Sequence, residues 1–153
     1  MGKIYTSRYS NKDLQYTDAL KVGISLGQPR FPLKYELSGN IVQLAPNRTI
    51  FRMTDKVAFR RRYMDQLNAL GKREVEKLIN EAWKEPEKDL ILLCYEDVTC
   101  DDPTKNWCHR TTFAEWYEEK FGIKVEEYPD SGNFAAKHKQ EPEEEYEQIS
   151  LLF

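Results

Sequence analysis

Apolar and polar positions change period several times along the chain, and each change marks an element. Residues 3–9, KIYTSRY, are β-branched and aromatic and predict a first strand. Ser10 with Asp13 three residues on is a helix-start signal, and LQYTDAL then supplies one or two helical turns. LKVGISL, residues 20–26, is a short apolar run ended by Gly27 and Pro29, which predicts a buried strand releasing the chain into GQPRFP. Residues 33–54 carry weak strand character in IVQLAP and RTIFRM, interrupted at Pro46. From Asp55 the period becomes helical, with Phe59, Tyr63, Leu67 and Leu70 on one face and Gly71 as the stop. A second helix places Val75, Leu78, Ile79 and Ala82 inward and ends before Pro86. DLILLCY, residues 89–95, is the most apolar stretch and predicts a central strand covered on both faces. Thr112 and Glu115 have capping-box spacing for a helix through Phe121, closed by Gly122, and IKVEEY predicts a last strand.

Strands alternating with helices define an α/β class, a mostly parallel central sheet flanked by helices on both faces. The domain is expected to span residues 1–128, leaving 129–153 as an acidic tail in which apolar residues are few. In such folds ligands collect at the carboxyl ends of strands. SRYSN, SLGQPRF and CYEDVTC each follow a predicted strand and are therefore expected along one rim.

Charge changes the picture. Residues 1–80 hold 15 Lys+Arg against 7 Asp+Glu, a net of +8, whereas residues 81–153 hold 8 against 19, a net of -11. A basic half attracts polyanions even in a protein of acidic isoelectric point. Arg60, Arg61, Arg62, Lys72 and Arg73 are the candidate phosphate contacts for DNA, and solvated helix faces are the plainer explanation. The longest apolar run, LILLC, is far short of a membrane span, so no membrane partner is expected. Three cysteines are too few for a disulfide scaffold, and the opening MGKIYTSRYS lacks a secretory pattern, which favours a cytoplasmic location.

All three cysteines lie in residues 92–110, LLCYEDVTCDDPTKNWCHR. Cys94, Cys100, Cys108 and His109 are sufficient soft ligands for zinc, but the gaps of five and seven residues differ from the short pairs that wrap the ion, so no metal is expected. Cys108, beside His109 and Arg110 and before a helix, has the setting of an activated thiol; a small buried thiol is the alternative. Arg110, Thr111 and Thr112, with the helix amides and with Ser10, Asn11 and Arg30 on neighbouring turns, are the candidate anion site. Arg110 would otherwise form a structural bridge to Glu96 or Glu115. His109 is a titrating donor there, and Glu96 is the candidate general base. Tyr9, Phe31 and Trp107 are the rings available to stack a base.

LLCYE with a downstream CHR, the opening IYTSRYSN, the segment ISLGQPRF and LAP at residues 44–46 together resemble the bacterial and phage family called domain of unknown function 488, over residues 3–128. Family members have Gly-His-Ser-Asn where this chain has Arg8, Tyr9, Ser10 and Asn11, and Asp-Val-Arg where it has Gly23, Ile24 and Ser25, which marks a divergent branch. The resemblance implies an α/β fold and a rim formed by Ser10, Asn11, Arg30, Cys94, Glu96, Cys108, His109 and Arg110. It implies no substrate or cofactor.

QISLLF, residues 148–153, is similar to the peptide by which bacterial repair and replication proteins dock on the sliding clamp. Gln148 would bond at the edge of a greasy pocket that Leu151, Leu152 and Phe153 fill. Two functions remain open on these readings. One is a DNA-associated protein of repair or nucleotide processing recruited through this peptide; the other is a small-molecule phospho-ligand enzyme or binder whose tail packs on itself.

Overall fold

The computed structural model describes residues 2–95 and 108–132. Five strands, β1 (Ile4–Arg8), β2 (Leu20–Gly23), β3 (Gly39–Asn40), β4 (Leu90–Cys94) and β5 (Glu126–Glu127), form one sheet in the order β3-β2-β4-β1-β5. Every pairing is parallel. β4 lies at the centre, with Ile4 opposite Leu90 and Arg8 opposite Cys94 on one side, and Leu20 opposite Leu90 and Gly23 opposite Leu93 on the other. All five β4 residues are buried, as a strand covered on both faces requires.

The two faces are covered differently. Leu90 and Leu92 share a core with Phe59, Tyr63 and Leu67 of α2 (Lys56–Leu70), Val75 and Ile79 of α3 (Lys72–Ala82), and Phe113, Trp116 and Tyr117 of α4 (His109–Phe121). Ile91 and Leu93 pack instead with Tyr9, Leu14 and Ala19, and against Phe31, Leu33, Tyr35 and Leu37. That second layer is a short 3-10 turn, Lys12–Tyr16, and the segment 26–38, so among the described residues the α-helices occupy one face only.

Local chemistry explains where elements depart from the sequence pattern. RTIFRM, expected as a weak strand, begins with the helical turn α1 (Arg48–Phe51), because the Asn47 side-chain Oδ1 accepts from the Ile50 amide at 2.9 Å. IVQLAP holds a 3-10 turn, Val42–Leu44, for the same stretch of expected strand. α4 starts at His109, with Cys108 in an extended conformation as N-cap, four residues ahead of the expected Thr112 cap. Thr-x-x-Glu spacing also describes two residues one turn apart inside a helix, which is what Thr112 and Glu115 are. Gly71 and Gly122 end α2 and α4 at positive φ, 87° and 68°, a region that favours glycine. No helix of the described residues is long and apolar enough to cross a membrane.

Leu92→Ala removes a fully buried side chain between β4 and the helical layer. Urea denaturation is expected to show a loss of about 2–5 kcal/mol with little change in slope, and Val57→Ala, at an exposed position, a change within about 0.5 kcal/mol.

Candidate functional site

The turns leaving β1 and β2 meet Tyr95, the first residue after β4, at the carboxyl edge of the sheet. The Tyr9 amide donates to Cys94 O at 2.9 Å and the Ile24 amide to Leu93 O at 2.9 Å, so backbone pairing continues past the strand ends. The Tyr9 and Ser25 hydroxyls are hydrogen-bonded at 2.7 Å, the Tyr35 hydroxyl donates to Tyr9 O at 2.6 Å, and the Tyr95 hydroxyl donates to Gly27 O at 2.9 Å. Burial pushes the Tyr9 phenol up to about 12, so it stays protonated in neutral solution. Gly23 is required here: a Cβ would stand 2.2 Å from the Tyr9 hydroxyl oxygen and 2.5 Å from Asn40 Oδ1.

Behind this rim α4 begins with Cys108, His109 and Arg110, all buried. The Cys94 and Cys108 sulfurs lie 2.17 Å apart, within disulfide distance, on Cα atoms separated by 7.5 Å. His109 Nδ1 is 3.5 Å from Cys108 Sγ. His109 Nε2 is hydrogen-bonded to Ile24 O, and the ring meets Tyr63 edge-on with centroids 5.5 Å apart. Because a carbonyl only accepts, the Nε2 atom carries the proton and Nδ1 presents its lone pair. Burial lowers the imidazole pKa to about 4, against the opposing effect of the Ile24 carbonyl and with help from the Arg110 charge, so at neutral pH the ring is uncharged.

Arg110 is fully buried and donates from each of its three guanidinium nitrogens. Nε and Nη2 donate to the Glu127 carboxylate, at 3.1 Å to Oε1 and 2.8 Å to Oε2, and Nη1 donates to Cys94 Sγ at 3.0 Å. The Thr6 hydroxyl donates to the same carboxylate at 2.8 Å. The partner of Arg110 among the described residues is thus Glu127, which is neither of the acids expected from the sequence; Glu115 pairs with Arg60 on the surface at 2.5 Å.

The other candidates fall into separate places. Asn11 is buried and already committed, its amide donating to Ser7 Oγ at 2.9 Å and Pro129 O at 3.1 Å while its carbonyl accepts from the Asp13 amide at 2.9 Å. Ser10 Oγ is buried without a hydrogen-bond partner among the described residues. Arg30 and Thr111 are exposed and Thr112 is buried inside the first turn of α4. Arg60, Arg61, Arg62, Lys72 and Arg73 are exposed on the helical layer, with Lys72 Nζ 5.0 Å from the Phe121 ring centroid. A cavity of about 230 Å³ opens instead in the second layer, lined by Tyr9, Ser10, Asn11 and Lys12 on one side and by Phe31, Lys34 and Tyr35 on the other. Glu96, Cys100, Trp107, Gln148, Leu151, Leu152 and Phe153 lie outside the described residues.

Residues 129–132, expected as the start of the tail, are held on this edge. Arg8 Nε donates to Asp130 Oδ2 at 2.7 Å and Nη2 to Gly132 O at 2.7 Å, and Ser131 bonds Asp13 through its amide and its hydroxyl. Sequence reading missed Arg8, Ile24 O, Glu127 and Asp130. No spacing rule reveals a partner more than 100 residues away, as Asp130 is from Arg8; for Arg8 and Glu127 the available signal is a charged residue at a strand end. No protein-family model, curated protein or solved structure matches the chain.

Glu127→Gln leaves the buried Arg110 charge without its counter-ion; because the Glu127 side chain is 32% exposed, water replaces part of the interaction and the expected cost in chemical denaturation is about 1.5–3 kcal/mol. Arg60→Ala, at a solvent-exposed pair, should cost no more than about 1 kcal/mol. Equal losses in the two variants would show that the Arg110 pair is no more than a surface bridge.

Proposed function

We propose that this protein binds nucleic acid, seating a base in the cavity between the β1 turn and segment 26–38, and serves DNA repair or nucleotide processing. The observation that supports the reading is the composition of that cavity: Phe31 and Tyr35 supply half-buried rings over a floor that includes the buried Tyr9, and Lys12 and Lys34 supply cations. Aromatic faces accept any base, and lysines beside them meet the backbone phosphate, which is the combination single-strand binders use. Its place beside the carboxyl end of β1 agrees with the general location of ligands in parallel sheets. The arginines of α2 belong to the opposite layer, so they are assigned to flanking phosphates at most. The resemblance to domain of unknown function 488 enters this reading only as a second argument for a shared rim. QISLLF, residues 148–153, would bring the protein to its substrate through the sliding clamp.

Anisotropy titration with a single-stranded oligonucleotide across salt tests the cavity. Phe31→Ala is expected to weaken binding by about 1–3 kcal/mol. Lys12→Ala with Lys34→Ala is expected to flatten the log–log salt slope by about 1.4, two phosphates at roughly 0.7 each. Affinity that ignores both substitutions, or that does not fall with salt, removes the reading; a thermal shift with mononucleotides but no oligonucleotide binding assigns the cavity to a small phospho-ligand instead.

Clamp docking has its own check. The full chain should be retained on immobilised sliding clamp, and Gln148→Ala with Phe153→Ala should abolish retention. Retention unchanged by that pair of substitutions ends the recruitment part of the proposal.

A further inference from the structure

We propose that Cys94, Cys108 and His109 form a Cys2His centre for Zn2+ or a similar thiophilic divalent ion. Their ligand atoms lie within 4.8 Å of one another, and all three residues are buried. They reach that point from two directions, Cys94 from the end of β4 and the adjacent pair from the first turn of α4. The chain order CxxC is absent, which is why spacing alone argued against a metal; the fold supplies the proximity that the sequence withholds.

The two sulfurs stand 2.17 Å apart, so the pair is either covalently joined or must part to admit an ion. The backbone discriminates between them. Cα atoms 7.5 Å apart exceed the separation that a disulfide spans without backbone movement. Two thiolates on one tetrahedral ion need their sulfurs roughly 3.8 Å apart, from two bonds of about 2.3 Å, and the wider Cα separation suits that arrangement.

The histidine adds an independent reason. A metal-bound imidazole presents one nitrogen to the ion and donates the other N–H to a carbonyl or carboxylate, which fixes ring and tautomer. His109 has this arrangement, with Nε2–H on Ile24 O and the Nδ1 lone pair turned toward Cys108 Sγ at 3.5 Å. Arg110 completes an outer shell: its Nη1 is 3.0 Å from Cys94 Sγ, where a cation favours the thiolate, and Glu127 balances its charge. The described residues supply three ligands, which leaves one position of a tetrahedral ion to be filled by a further group or by water.

The test is metal content of the full chain, expressed with zinc and purified under reducing conditions without chelator. About one Zn2+ per chain is expected, lost in Cys94→Ser, Cys108→Ser and His109→Gln and kept in Glu115→Gln. Because a cysteine variant can fail to fold, Co2+ is also added to the reduced wild-type protein; a thiolate-to-cobalt charge-transfer band supports the centre without any substitution. Absence of both zinc and the cobalt band overturns it. So does non-reducing peptide mapping that finds Cys94 covalently joined to Cys108 in protein handled this way.

Discussion

The buried guanidinium of Arg110 is the constraint around which this edge of the molecule is arranged. A full positive charge inside the protein is tolerated only when it is paired and its donors are used. Here the first turn of α4 delivers that charge, β5 answers it with Glu127, β4 gives it Cys94 Sγ, and β1 joins through Thr6 on the same carboxylate. A helix and three strands are thereby fixed relative to one another at the place where the rim opens. The same charge sits beside a sulfur, so the demand for electroneutrality and the chemical character of the thiol pair are set together.

The central layer was legible because burial on both faces leaves a plain mark. LILLC reads as a central strand with no information about its neighbours, and the 3.6-residue period of Phe59, Tyr63 and Leu67 reads as one side of a helix. Where the structure departs from the pattern, a side-chain hydrogen bond or the burial of a polar residue decides the local structure. Asn47 turns RTIFRM into a helical turn, and burial of His109 and Arg110 in the first turn of α4 makes Cys108, a poor capping residue, the start of the helix. The second face shows a further limit: segment 26–38 covers the sheet with alternating half-buried residues, Phe31, Leu33, Tyr35 and Leu37, and no α-helix.

Candidate site residues divide along similar lines. Cys94, Cys108, His109 and Arg110 were singled out by type and neighbourhood, and they do meet. Asn11 and Arg30 were placed with them by their position after strands, yet Asn11 spends its amide on Ser7 and Pro129, and Arg30 faces solvent. Position after a strand puts a residue near the edge but does not say which way its side chain points. Glu127 illustrates the converse: it is an exposed strand residue like Glu126, and only the register beside Thr6 brings its carboxylate to the guanidinium.

The ion pair between Arg8 and Asp130, with side chains only 3% and 11% exposed, separates two notions of boundary that composition merges. By residue type the globular part stops at Tyr128, whereas by electrostatics it extends through Gly132, whose carbonyl still holds the Arg8 fork. Any excision of this unit for crystallisation or fusion has to respect the later limit. A cut placed at the change of composition would strip a counter-ion from the interior and report the resulting fragility as a property of the fold.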